Sequence, residues 1–369
     1  MSAADPPADE GGPGEIGADE GGLGEIGADE GGADEGETTV VSVWPQPLVA
    51  NEIARRRAEE MSLARGSAVV SGLHTYCLEQ LAKFLTPKGD NRTNTIDQGR
   101  KTTYALTPTK LQELFGFLDR VRRAGGVAHF SERQTSEGRL DSGIMLDYDV
   151  VTPREDARLQ PRDYTRLASA LMAQLYGALE AGATFAAHGF FIEKRENALL
   201  DPQLGIYKYG FHVLVPGVHV SRPYKKWLCR TFARDATALA IVAALGAPDP
   251  EKCLDQNSAC VPVLFLGSCK QGGVPYRLSR AIHVETDGAH GQVVSEVPLE
   301  ACEQYNLVAE LSLGYAAAYD GRPPLVAPRL YVCKPEAGRL ARDWGERAID
   351  GANPPEELLG AEHDVLALI

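Results

Sequence analysis

The chain has 369 residues, 44% of them hydrophobic and 24% charged, and a formal net charge of −14. This is ordinary globular composition, sufficient for two domains or one large bilobed domain. No apolar run approaches the length of a membrane span and no signal peptide opens the sequence, so a membrane-embedded or secreted protein is not expected.

The charge is unevenly placed. From Ala8 to Glu37 the sequence repeats with a ten-residue period (ADEGGPGEIG, ADEGGLGEIG, ADEGGADEGE), too short for a solenoid unit and too rich in Gly and acid to bury a core. Residues 1–40 are read as a disordered acidic tail. It holds twelve acids and no Lys or Arg, which leaves a net charge of −2 for the remainder, so a nucleic-acid partner is not excluded. The seven cysteines are odd in number and form no Cys-x-x-Cys pair, as expected of reduced intracellular thiols.

Residues 41–320 are expected to fold, with 321–369 as a C-terminal extension. Helices are predicted over Asn51 to Arg65 and Val69 to Phe84, followed by a polar, basic loop from Thr86 to Lys101. Thr107 and Pro108 start a third helix, whose Leu111, Leu114, Phe115, Leu118 and Val121 form one apolar stripe and which ends at Gly125–Gly126. Asp163 to Leu179 gives another. Strands are predicted at Ser142 to Val150, Gly189 to Lys194, Gly210 to Pro216 and Val261 to Leu266. A single basic helix, Pro223 to Leu245, is expected to present a solvated charged face. No obvious core follows the helix-like run past Tyr305.

The chemistry centres on SGIMLDYDV. Asp147 and Asp149 interrupt an apolar strand, and side chains two apart on a strand leave the same face. Two buried carboxylates side by side need a positive partner, and a divalent metal with its preference for oxygen ligands supplies one. The plainer alternative is a sheet-end pair that meets solvent or an Arg. Lys208, Gly210 and His212 share a face by the same period; a cation, a gap and an imidazole in a row suit phosphate oxygens. Gly267-Ser268-Cys269-Lys270 ends another strand with a hydroxyl and an ammonium, also suited to an anion. Asp255 is a candidate third acid.

The order Asp-x-Asp, then Lys-x-Gly-x-His, then Asp and Gly-Ser-x-Lys resembles the archaeo-eukaryotic primase superfamily, in particular the primase domains of primase–helicases of nucleocytoplasmic large DNA viruses. IMLDYDV resembles the metal-binding strand, KYGFHVLVP the Lys-x-Gly-Phe-His strand, and VLFLGSCKQGGVPYRLS the segment from Gly-Ser-x-Lys to Pro-Tyr-x-Leu. Glu310-Leu311-Ser312-Leu313 is similar to the element that follows the fold, and the similarity runs from Phe130 to Gly314. Cellular members often carry Ser at the position of Gly210 and Arg near Leu264; neither is present here. No Walker-type loop occurs, so the helicase half is missing from this sequence. The resemblance implies an α/β (α+β) fold, an RNA-recognition-like palm with a mixed or antiparallel sheet plus a smaller N-terminal α/β module. It also implies a primase-polymerase in which Asp147, Asp149 and Asp255 hold two Mg2+ or Mn2+ ions, while Lys208, His212, Ser268 and Lys270 bind the incoming nucleoside triphosphate. Single-stranded DNA template would run along Arg100–Lys101 and the Lys225–Arg234 helix, with a separate replicative helicase as partner. The expected setting is viral DNA replication in the host nucleus or at a cytoplasmic replication site. An inactive nucleic-acid-binding subunit and a metal-dependent nuclease or phosphotransferase are the alternatives.

Overall fold

The computed structural model describes residues 67–134, 141–182, 184–193, 198–201, 204–259, 261–270, 273–287, 291–314 and 324–347. The acidic repeats and the helix expected at Asn51 to Arg65 lie outside the described residues. In chain order the elements are α1 (67–79), β1 (Leu85–Thr86), β2 (Thr95–Asp97), β3 (Thr102–Tyr104), α2 (Pro108–Arg123), β4 (Phe130–Glu132), β5 (Asp141–Thr152), α3 (Pro161–Ala178), β6 (Thr184–Glu193), β7 (Leu199–Asp201), β8 (Ile206–Ser221), α4 (Arg222–Phe232), α5 (Ala236–Ala244), β9 (Val263–Leu264), β10 (Arg277–Asp287), β11 (Gly291–Val297), α6 (Leu299–Cys302), α7 (Leu307–Glu310), β12 (Arg329–Leu330) and α8 (Pro335–Arg347).

Two sheets organise the fold. The larger runs β11-β10-β6-β8-β5; β5 follows β8 from Asp141↔Ser221 to Thr152↔Tyr207, while β7 and β12 extend the pairing of β8 at its two ends. Every pairing in it is antiparallel except β8 with β12. The smaller sheet, β1-β3-β2-β4-β9, belongs to the module that carries α1 and α2. This is the mixed α/β architecture expected from the sequence, a palm backed by helices with a smaller module beside it.

The period of two on β5 divides the core. Ile144, Leu146, Tyr148 and Val150 are all at most 1% exposed and pack with α3, α4 and α5 on one face. Met145 points to the other face, into a second cluster with Phe190, Leu214, Tyr276 and Leu311. Asp147 and Asp149 continue that second face. The strand begins at a bulge between Ser142 and Ile144, where a Cβ on Gly143 would lie 2.9 Å from Pro216 Cα; only glycine fits there.

Local signals explain most helices. Thr107 accepts from the Lys110 amide and Pro108 opens α2, whose apolar stripe is buried as expected. Leu167, Leu171 and Leu175 bury the inner line of α3 completely. Four expectations need correction. Pro223 to Leu245 is two helices, because Asp235 caps a new one by accepting from the Ala238 amide. Val261 to Leu266 contains only the two-residue β9. The polar stretch from Thr86 to Lys101 contains β2, with Thr95 and Asp97 buried. The sequence after the helix-like run past Tyr305 carries core after all: Val326 joins the cluster of Met145, and Tyr331, Ala337, Leu340 and Ala341 join the main cluster. The β10–β11 hairpin was not anticipated.

Candidate active site

Asp147 and Asp149 leave the same face of β5, with Asp147 opposite His212 and Asp149 opposite Gly210 on β8. A Cβ at position 210 would stand 3.3 Å from Asp149 Oδ1, so glycine keeps space beside that carboxylate. His212 Nε2 lies 3.0 Å from Asp147 Oδ1; since a carboxylate only accepts, Nε2 carries the proton of this contact. The His212 side chain is 10% exposed and that of Asp147 23%. Asp149 is exposed. The premise that both acids are buried is therefore corrected: the sheet buries its helix face, and the carboxylate face opens to solvent towards the end of β5.

The outer edge of β5 accepts one more stretch of chain. The Asp255 amide donates to the Asp147 carbonyl and the Asp149 amide to the Cys253 carbonyl, both at 2.8 Å, around a bridge between Tyr148 and Leu254. That register sets Asp255 directly across from Asp147, on the same face. Its carboxylate accepts from the Asn257 amide. The segment is pinned from behind: Lys225 Nζ, which the sequence reading placed on a solvated face, is buried and donates to Gln134 Oε1 at 2.7 Å and Ser142 Oγ at 2.6 Å. Gln134 in turn donates to the Ser258 and Val261 carbonyls, and Ser258 Oγ to the Met145 carbonyl.

Tyr276 is the residue that sequence reasoning left without a role. Its ring stacks on His212, centroids 4.4 Å apart. Burial, and then the charges of Asp147 and Asp149, hold its phenol well above the ordinary range, so it stays protonated. Its backbone pairs with the Gly267–Ser268 turn: the Gly267 amide donates to the Tyr276 carbonyl and the Tyr276 amide to the Ser268 carbonyl. One path of contacts thus joins that turn, Tyr276, His212 and Asp147.

The phosphate-binding candidates divide. Lys208 shares the face of Asp149 and Gly210 but pairs with Asp201 at 2.8 Å, a hydrogen bond that raises its pKa. Lys270 is exposed on the turn after Ser268. Ser268 is fully buried and its hydroxyl accepts from the Phe130 amide at 3.4 Å. Arg100 is occupied by His74 and Asp97.

Three carboxylates on one face, with no thiolate among them, are the donor set a hard divalent ion takes. Cys253 stands opposite Asp149, but burial raises its pKa and its thiol donates to the Asp249 carbonyl. Among the described residues no three His, Cys, Asp or Glu side chains are already close enough to hold an ion. Like charges on a face separate unless a cation draws them together.

The placement of these motifs on a palm is that of the archaeo-eukaryotic primase (AEP) superfamily. A family model described as "C962R protein N-terminal AEP domain" matches residues 93–282, and the chain belongs to that family. It is 35% identical over 249 residues to "Putative primase C962R" of African swine fever virus isolate Warthog/Namibia/Wart80/1980, and 34% identical to the proteins of the same name from strain Badajoz 1971 Vero-adapted and isolate Pig/Kenya/KEN-50/1950. These matches cover 67% of this chain and 25% of each relative, so the chain spans about a quarter of the length of the relatives it matches.

Proposed function

We propose that this chain is a DNA primase domain that joins nucleotides on a single-stranded DNA template. The observation that carries the reading is the convergence of Asp147, Asp149, Asp255 and His212 on one solvent-open sheet face, with space kept by Gly210. Asp147, Asp149 and Asp255 would hold Mg2+ or Mn2+, which when bound supplies neutralisation of the triphosphate and activation of the attacking hydroxyl. His212 holds Asp147 in place through Nε2, and Tyr276 keeps the imidazole ring from turning. Lys208 exchanges Asp201 for a phosphate oxygen, and Lys270 meets the phosphates from the turn. Ser268 acts through that turn, by anchoring it to β4. The protein's work in such a reaction is positioning and charge compensation.

The test is incorporation of labelled nucleoside triphosphates on single-stranded template with Mn2+. Template-dependent extension supports the reading. Degradation of DNA with metal alone would assign the site to a nuclease, and DNA binding without turnover to an inactive subunit. A separate helicase partner is part of the proposal and is tested by co-purification. Among the described residues no helix is long and apolar enough to cross a membrane.

A further inference from the structure

The sheet face that carries Asp147 and His212 continues across β6, β10 and β11, and its cover changes along the way. Phe190 and Ala281 are buried on it, in one cluster with Cys302, Leu307 and Leu311. Further along, Ala186, Glu285, Val293 and Ser295 are exposed. His188 and His283 stand between the two regions, directly opposite each other on β6 and β10, with Ser295 opposite His283 on β11. Both histidines are partly buried. His188 lies four residues along β6 from Ile192, the partner of His212, which is about 13 Å at 3.3 Å per residue. The pair is therefore separate from the carboxylate site.

Its geometry suits chelation. The ring centroids are 4.5 Å apart and the planes are tilted by 45°. Side chains directly opposite on antiparallel strands have Cβ atoms about 5 Å apart, which lets both rings reach one ion. Two imidazole nitrogens, each about 2.1 Å from a shared ion, stand about 3 Å apart at a right angle, and small ring rotations bring this pair to that separation. His283 Nδ1 is buried and meets no hydrogen-bond partner among the described residues. Buried polar atoms are nearly always satisfied, so this one calls for a ligand. Phe190 lies against His188, nearly parallel at 5.9 Å, and walls the pair on its dry side, where an apolar wall limits access of water. On the open side Glu285 follows His283 by two residues on the same face and offers a carboxylate. Among the described residues no third His, Cys, Asp or Glu already stands with the two, so Glu285 and water fill the remaining positions.

We propose that His188 and His283 form a two-histidine site for a divalent transition-metal ion of the Zn2+ type, closed on the solvent side by Glu285 and water. Imidazole nitrogen favours this class of ion over Mg2+, which suits the oxygen ligands of the carboxylate site. The ion clasps β6 to β10 at a distance from Asp147, so its role is structural and it takes no part in nucleotide transfer. The inference does not depend on the primase reading.

The experiment titrates Zn2+ into the untagged, reduced full chain by calorimetry, in excess Mg2+ so that the carboxylates are already served. The unsubstituted chain should bind Zn2+ at this site and gain melting temperature with it, since an ion bound by the folded state alone stabilises that state. His188→Gln and His283→Gln should each lower the affinity at least about tenfold, the loss that even a supporting residue of a metal site brings, and should abolish the gain in melting temperature. Circular dichroism confirms that each variant is folded. Should either fail to fold, electron paramagnetic resonance of Cu2+ on the unsubstituted chain takes its place: coupling to two imidazole nitrogens is expected, and coordination by oxygen alone overturns the site. No Zn2+ binding by the unsubstituted chain overturns the proposal, as does wild-type affinity in both histidine variants. Loss of binding in Cys333→Ser or Asp149→Asn overturns it too, because the ion would then sit on a thiol or on the carboxylate face. Primer synthesis is not a readout here, so failure of the primase reading leaves this result standing, and failure of the metal site leaves the primase reading untouched.

Discussion

His212 has two contacts that decide its role, Nε2 to Asp147 and the ring to Tyr276. His212→Gln keeps a donor of similar reach and loses the stacked imidazole, so the account expects a higher KM for nucleotide with unchanged single-stranded DNA affinity. Steady-state kinetics beside DNA anisotropy on the folded variant checks this. Loss of thermal stability with unchanged nucleotide affinity would return His212 to the core. A second histidine makes a prediction about pH. His188 and His283 face each other across β6 and β10 with centroids 4.5 Å apart, and burial, then the neighbouring imidazole, lowers the pKa of His188 to about 4. The unfolded chain therefore binds that proton first as pH falls below about 6.5. Stability should be full near neutrality and decline between about pH 6.5 and 4, and His188→Phe should flatten that decline in urea denaturation. An unchanged slope would remove His188 as its source.

At the scale of elements, what could be read from the sequence depended on how local its cause was. The face shared by Asp147 and Asp149, the capped start of α2 and the leucine line of α3 follow from spacing within ten or so residues. The place of Asp255 does not: it is set by backbone pairing across more than a hundred residues, and by Lys225, whose ammonium looks like a surface charge until Gln134 and Ser142 are seen around it. The role of Tyr276 was equally hidden, because stacking on His212 depends on the long β10 and not on its neighbours in sequence. The β10–β11 hairpin did leave a trace, in the alternation of Ile282, Val284 and Thr286 ahead of the Asp287-Gly288 pair. Lys225→Met keeps the buried stem and removes the donor. It should cost about 1.5–3 kcal/mol in urea denaturation, the range for hydrogen bonds from a charged group. It should also lower nucleotide incorporation more than DNA binding, since the Asp255 segment loses its support. Leu171→Ala, fully buried on α3, should cost about 2–5 kcal/mol with no such selectivity.

For the whole molecule, the two cores and the palm face form a scaffold on which the proposed chemistry needs only a few side chains, while the acidic residues 1–38 are expected to contribute no core. Removal of Met1 to Thr38 should leave the melting temperature nearly unchanged, and a large drop in a thermal scan would show that the segment docks. Template affinity should rise on the same deletion, as twelve negative charges no longer compete for basic surface. The central claim is that the open carboxylate face performs nucleotidyl transfer, and Asp149 tests it most directly because it is exposed on that face and its loss opens no cavity in the core. The measurement is Mn2+-dependent incorporation of nucleoside triphosphates on single-stranded template by Asp149→Asn, with folding and template affinity monitored on the same preparation. The account predicts that incorporation is abolished while the melting temperature and DNA affinity stay at wild-type values; incorporation at the wild-type rate would contradict it.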